Sequence, residues 1–503
     1  MATKAQRLYG RLMKRLKEIA SFNYLTDLQS WDGQVMMPRH ALPGKGEIRA
    51  AVKKRAFELF TSDEVGGLLE ELMVVLDELP VEKQAHVRLL YACRQRACSL
   101  SSNLVGRYAE ATTASHAAWL RAKEADDFSI FQPELETVLA LTREKAECIG
   151  YEGHPYNALL PYYEPGMTVS RIREILDPLA EPLGDLLSEI RDSSQTPSDL
   201  LQRGNWPPDA QRKLCQHVKT LLGFPGRLDE AEHPMTITVA PRDVRITTHC
   251  MPNRLDFGLT ATTHEAGHGF MEWYRAQPLR WSEPMEGGGI SMAVHESCSR
   301  LWEHLVGTSL PFCELIYPKV CELFPVFEDQ GISAEDFWRM LNRVEPGFIR
   351  VMADELTYCS HILMRLELEL AMFSGQIKVA DLPSLWNEAS ERHLGIVPPT
   401  LREGVLQDIH WSKGFIGYFP EYMVGTLLSA IWAREIRKLH PDLDDRIRRG
   451  QFSVIQTWMR EHVYCWGQVC SGDELVRRAT GHKLSAKPWL GYARRKYQAV
   501  YQV

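Results

Sequence analysis

Two histidines four positions apart, with a glutamate after the first, restrict what this chain can become more than any other feature. The stretch Thr262-Thr263-His264-Glu265-Ala266-Gly267-His268-Gly269-Phe270 contains His-Glu-x-x-His. Residues i and i+4 of a helix project from one face about one turn apart, so a helix here brings two imidazoles to a single metal ion. Glu265 holds the position from which a carboxylate acts as general base on water at that ion. Imidazole and carboxylate donors with an open coordination position suit Zn²⁺. The plain alternative is a solvated helix with two surface histidines. Thr262, Thr263, Ala266 and Gly267 argue against it, because such small residues read as a close-packed, buried helix.

A metal helix of this kind needs a large scaffold, and 503 residues provide one. Hydrophobic residues at 45% and charged residues at 24% describe an ordinary globular chain. A net charge of −7 gives no reason to expect nucleic acid or an anionic membrane as partner. No run of about 18 apolar residues predicts a membrane span. The 11 cysteines are scattered without C-x-x-C and read as free thiols of a reducing compartment. The N-terminus is basic and amphipathic but lacks the apolar core of a signal peptide, which favours a cytoplasmic setting.

Periodicity predicts helices almost throughout: 8–19, 48–60, 65–79, 82–114, 117–125, 171–192 and 209–222, then 290–306, 334–344, 349–373, 380–393, 420–439 and 452–465. The segment 155–166, rich in Tyr and Pro, reads as irregular backbone. Two short β-branched runs form the one expected strand region, Met235-Thr236-Ile237-Thr238-Val239 and Val244-Arg245-Ile246-Thr247-Thr248. A strand edge beside the metal helix can pair with an extended peptide. Gly287-Gly288-Gly289 breaks the chain after the motif. No linker separates domains. The expectation is an all-α, mainly helical fold with a small β-sheet next to the active site.

A catalytic ion needs a third protein ligand. Glu272, Glu283, Glu286, His295, Glu296, Glu303 and His304 all follow the motif. Glu272 lies one turn past His268 and would crowd the water position. Glu296 is flanked by Ser291, Ala293 and Ser297, and 28 residues (296 − 268) allow the chain to turn and return antiparallel. Its alternative is an i,i+4 ion pair with Arg300. Spacing favours Glu296 as the ligand.

Several separated segments resemble the M32 (thermostable, Taq-type) metallocarboxypeptidases. They are His264-Glu265-Ala266-Gly267-His268, His295-Glu296-Ser297 with Ser299-Arg300-Leu301-Trp302-Glu303, and Asp243-Val244-Arg245-Ile246-Thr247. Ile349-Arg350 with Ala353-Asp354-Glu355-Leu356-Thr357-Tyr358, Gly404-Val405-Leu406-Gln407-Asp408-Ile409-His410-Trp411 and Ile416-Gly417-Tyr418-Phe419-Pro420 follow. Weaker matches at Trp31-Asp32, Glu164-Pro165-Gly166 and Gly481 extend the likeness over nearly the whole chain. The chain departs from the family pattern at Cys298, Met352 and Met235, none of them a proposed ligand or base. The resemblance implies one catalytic domain over 1–503, with two helical lobes around a deep groove, akin to angiotensin-converting enzyme and neurolysin. It also implies a homodimer, a zinc or cobalt ion, and removal of C-terminal residues from peptides.

Such hydrolysis requires an oxyanion donor and a cation for the substrate carboxylate. Tyr418 is the expected donor, with His410 assisting. Arg350 and Arg245 are the candidates for the cation, because guanidinium grips a carboxylate bidentately. Their alternatives are ion pairs with Asp354 and Asp243. Tyr422 and Gln407 are further lining candidates. Two other readings share these residues: an oligopeptidase cutting internal bonds, and an inactive zinc-binding scaffold.

Overall fold

The computed structural model describes residues 3–38, 42–275, 291–467 and 469–503. The described chain is helical almost throughout, with one three-stranded sheet. The expected break at 287–289 lies outside the described residues.

Helix boundaries follow local capping where periodicity alone misplaced them. The first helix runs unbroken over Lys4–Val35, well past the expected end at 19, and opens with a Thr3 capping box. The expected helices 82–114 and 117–125 are instead divided at Ser101, whose side chain accepts from the Leu104 N–H and caps Ser102–Ala125. The expected helix 349–373 begins later, as Glu355–Phe373, because Asp354 accepts from the N–H groups of Leu356 and Thr357. Arg350 therefore sits in a short 3₁₀ turn, Arg350–Met352, ahead of that helix.

Contacts divide the chain into two compact units. The first comprises Met1–Gln95, Pro197–Leu341 and Gly425–Leu484; the second comprises Arg96–Thr196, Asn342–Val424 and Ser485–Val503. Each is assembled from three separated stretches, so neither requires a linker in the sequence.

In the first unit the sheet is built from β1 (Arg227–Glu230), β2 (Thr236–Ala240) and β3 (Asp243–Thr248), in the order β1-β3-β2. The β2–β3 hairpin is the expected pair, antiparallel, with a register shift between Thr238 and Ala240. β1 was not expected. It pairs parallel to β3, Arg227 opposite Arg245, and its sequence Arg-Leu-Asp-Glu carries no β-branched alternation. Against this sheet packs the helix Leu255–Tyr274, whose buried positions face nearly every direction. Small residues make that burial feasible: a Cβ at Gly267 would lie 2.5 Å from the Cys298 carbonyl oxygen and 2.6 Å from Ser299 Cα. Two backbones therefore touch there.

In the second unit the helix Glu355–Phe373 is buried over almost its whole length. Tyr156, Trp386 and Trp411 are among the large rings buried in this unit.

Candidate active site

The metal helix and the helix Met292–Arg300 bring His264, His268 and Glu296 together. Their donor atoms lie within 4.8 Å of one another, the one such group among the described residues. Glu296 Oε2 is 3.3 Å from His268 Nε2 and 3.8 Å from His264 Nε2. The two imidazoles stand nearly perpendicular, 82° apart, with centroids 4.9 Å apart. A tetrahedral ion with bonds of about 2.1 Å spaces its ligand atoms about 3.4 Å apart. The trio fits such an ion.

Two of the three candidate donors are held by hydrogen bonds from behind. His264 Nδ1 lies 2.7 Å from Glu303 Oε2, leaving Nε2 to the cluster. Arg300 donates from Nε to Glu296 Oε1 at 2.7 Å and from Nη1 to Glu303 Oε2 at 3.1 Å. Ser299 donates to Glu296 Oε2 at 3.1 Å. The ion pair offered as the alternative role for Glu296 is thus present, yet it uses Oε1 while Oε2 faces the imidazoles. Burial works to lower the His264 pKa, but Glu303 and Glu296 outweigh it and lift it to about 9. Burial likewise opposes ionisation of Glu296 and Glu303, and the surrounding cations hold both well below the usual carboxylate range.

His268 is steadied by stacking: His295 lies 4.2 Å away, its ring tilted by 16°. His268 Nδ1 is buried without a hydrogen-bond partner among the described residues. His295 Nε2 turns to Glu272 Oε1 at 3.2 Å, and Glu272 also meets Arg275 and Thr238. Burial first, then the neighbouring His268, push His295 down to about 4. Glu272 and His295 are therefore engaged with each other and lie outside the donor cluster, as does His304, bound to Arg300. Glu283 and Glu286 lie outside the described residues.

Glu265 is buried on the same helix, and Thr236 of β2 donates to its Oε2 at 2.7 Å. That contact gives β2 a purpose the sequence did not disclose. Cys298 packs against Met271 and the Val294 carbonyl, where burial pushes its thiol up.

Arg245 of β3 makes a two-bond ion pair with Asp243, 2.9 and 2.8 Å, and stacks over Trp31 at 4.2 Å. Its charge is matched one for one.

The remaining expected residues lie in the second unit. Arg350 is buried and pairs with Asp408, a residue 58 positions away, at 2.8 and 3.1 Å. Asp354, the alternative partner that spacing offered, serves as a helix cap instead. Arg365 binds the other oxygen of Asp408 at 2.6 Å. Two guanidinium groups share one carboxylate, which leaves a surplus positive charge. Gln407 is committed to backbone: it accepts from the Arg350 N–H at 2.8 Å and donates to the carbonyls of Phe348 and Glu403. His410 Nε2 is 3.3 Å from the Tyr422 hydroxyl, and its ring lies 4.4 Å from Phe419. Burial first, then Arg350, push His410 down to about 3, so its ring is neutral at neutral pH. Tyr418 packs edge-on against Tyr422 at 5.0 Å and Tyr163 at 5.2 Å.

Comparison with known proteins gives one consistent answer. Residues 11–497 match the sequence profile described as carboxypeptidase Taq (M32) metallopeptidase. Thermostable carboxypeptidase 1 of Thermus thermophilus is 36% identical over an aligned length of 509 residues, covering 98% of this chain and 99% of that protein. Carboxypeptidase 1 of Bacillus subtilis is 33% identical over 490 residues, 97% of each. Among solved structures, a Pyrococcus furiosus carboxypeptidase superposes with a TM-score of 0.92 at 33% identity, covering 99% of both chains. An M32 carboxypeptidase from Deinococcus radiodurans gives 0.93 at 31% identity, over 99% of this chain and 100% of that one.

Proposed function

Because the chain belongs to the carboxypeptidase Taq (M32) metallopeptidase family and is a metallocarboxypeptidase, we propose that it works through a zinc ion held by His264, His268 and Glu296, with cobalt as an acceptable substitute. The observation that carries this reading is the convergence of His264 Nε2, His268 Nε2 and Glu296 Oε2, with Glu303 behind His264, Arg300 behind Glu296 and His295 stacked on His268. Bound there, a divalent ion supplies Lewis acidity toward the scissile carbonyl and toward water.

The rest of the chemistry belongs to side chains. Glu265, oriented by Thr236, takes the proton from the attacking water and returns it to the departing amine. Tyr418 donates a hydrogen bond to the developing oxyanion, and neutral His410 assists. Arg350 takes the substrate's terminal carboxylate, supported by the surplus charge that two arginines leave around Asp408. Tyr422 lines the site, and Gln407 holds the Arg350 backbone. The substrate is a peptide with a free C-terminus. One catalytic domain over 1–503, a homodimer and a cytoplasmic setting complete the reading; among the described residues no helix is long and apolar enough to cross a membrane.

Metal analysis joined to a C-terminal ladder assay by mass spectrometry tests it. An N-blocked peptide should lose residues one at a time from its free C-terminus, while its C-terminal amide is a poor substrate. Stoichiometric zinc with cleavage at internal bonds of both peptides would replace the exopeptidase reading with an oligopeptidase.

A further inference from the structure

Glu369 is absent from the roles above, yet it joins two of the segments they depend on. It lies in the buried helix Glu355–Phe373, with 0% of its surface exposed. His361, Arg365 and Glu369 recur every four residues, so they form one polar stripe along that buried helix. That stripe meets the chain around 408–417 at successive points. Arg365 binds Asp408. One carboxylate oxygen of Glu369 accepts from the Trp411 indole N–H at 2.7 Å. The other accepts from the Gly417 backbone N–H at 3.1 Å and from the Tyr156 hydroxyl at 2.5 Å.

Trp411 directly follows His410, and Gly417 directly precedes Tyr418. Gly417 has φ +97°, and a Cβ there would lie 3.3 Å from Leu159 and Tyr163. Only glycine takes that conformation freely, and in it the N–H is aimed at Glu369. An indole and a backbone amide can only donate, and they sit on different oxygens of the same carboxylate. A group accepting on both oxygens is therefore needed at this point. A carboxylate is such a group; an amide is not.

We propose that Glu369 is a positioning residue that clamps the 408–418 segment, through Trp411 and Gly417, in the conformation that presents His410 and Tyr418. The catalytic part of this statement rests on the roles proposed above for those two residues; the clamp itself does not. Leaving either N–H buried without an acceptor loosens the loop, and small displacements of a catalytic group are costly, about 100-fold per ångström in rate.

The test compares Glu369→Gln with Tyr418→Phe in the metal-loaded enzyme. Glu369→Gln keeps the shape but sets an NH₂ group against one of the two N–H donors. Hydrogen–deuterium exchange over 409–418 should accelerate at least about tenfold, with the 255–274 helix unchanged. The kcat should fall about 10- to 100-fold, with KM and metal content nearly as in the parent. Tyr418→Phe should lower kcat without changing exchange in 409–418. Should Glu369→Gln fail to fold, Trp411→Phe removes one donor alone and should give the same pattern in milder form. Unaltered exchange over 409–418 in a folded variant overturns the clamp, as does a loss of metal and of KM in step with kcat. If Tyr418→Phe and His410→Ala both turn over normally, the catalytic roles fail, and the exchange result still decides the clamp by itself.

Discussion

His264 Nδ1 and Glu303 Oε2 lie 2.7 Å apart, and Arg300 closes on the same carboxylate oxygen from its other side. Because Glu303 is held ionised, it accepts the bond and the imidazole donates it. With Nδ1 of His264 committed to Glu303, Nε2 is the nitrogen left facing the donor cluster. The arrangement is the usual outer support of a metal-bound histidine.

Removing that support should weaken the metal site without deleting a ligand. Glu303→Ala is expected to lower metal affinity about 10- to 100-fold, measured by competition with a chelator. Affinity equal to the parent's would show that His264 needs no orienting partner.

Glu265→Gln should separate binding from chemistry. The variant retains Thr236 as a neighbour and keeps all three ligands, so it should load metal fully. Its kcat/KM should fall on the order of 10²- to 10⁴-fold or more. Near-normal turnover at full metal occupancy would remove Glu265 from the role of base.

Glu296→Ala should lose metal outright to a chelator that the parent resists, since two imidazoles cannot fix tetrahedral geometry. It also leaves the buried Nε of Arg300 without its acceptor, although Nη1 keeps Glu303. The expected signature is thus low metal content together with a lowered Tm. A variant that stays stoichiometric in metal would assign the third donor elsewhere.

Arg350 and Arg245 should part company when free-acid and amide peptides are compared. Arg350→Ala should cost acid substrates about 10- to 200-fold in kcat/KM, the worth of a charge-assisted bond of roughly 1.5–3 kcal/mol. Amides, already poor, should change little. Arg245, fully matched by Asp243 and laid over Trp31, should affect both substrates alike when replaced by alanine. Equal damage to acid and amide from Arg350→Ala would make Arg350 a structural cation.

Stability should fall as pH rises for a reason lodged in the second unit. Glu421 is buried, and burial first, then the charge of neighbouring Glu164, hold its carboxyl well above the usual range. Burial also lifts Glu369 to about 7, against the donors around it. A carboxyl whose folded pKa exceeds its unfolded value of about 4.3 stabilises fully below that value. The contribution is lost as pH climbs through the folded pKa, so Glu369 weakens the fold between about pH 4 and 7. Glu421→Gln keeps the shape and carries no proton to lose. Its stability to unfolding should exceed the parent's at pH 8 by more than at pH 5, the difference being on the order of 1–3 kcal/mol. Parallel curves would mean the pair does not titrate.

Much of this site could be read from residue types alone. The small residues around the His-Glu-x-x-His motif signalled a buried helix, and the Leu255–Tyr274 helix is buried on nearly every side. The serine-rich surroundings of Glu296 signalled close packing, and Gly267 meets that helix backbone to backbone. Glu303 and Arg300 were legible in principle, since positions 296, 300 and 303 are spaced i, i+4, i+7 on one face.

What escaped the sequence depended on distance along the chain. Asp354, four residues on, was the ion-pair alternative offered for Arg350, but that aspartate caps its own helix, and the carboxylate at Arg350 is Asp408. β1 escaped because a short polar strand owes its existence to a parallel neighbour, not to its own pattern. Thr236 looked like a strand former; only the pairing of β2 beside the metal helix reveals that its hydroxyl serves Glu265.

The contact at Gly267 bears on how this family's signature is written. The notation His-Glu-x-x-His leaves two letters open, as if evolution were free there. In this chain the second open letter is set by an approach so close that a single methyl group collides with the carbonyl oxygen of Cys298, two residues past Glu296. Saturation mutagenesis scored by activity would therefore rank position 267 beside the ligands, although glycine has nothing with which to coordinate or to catalyse. An unbiased screen would report a five-letter word in which one silent letter matters as much as the spoken ones.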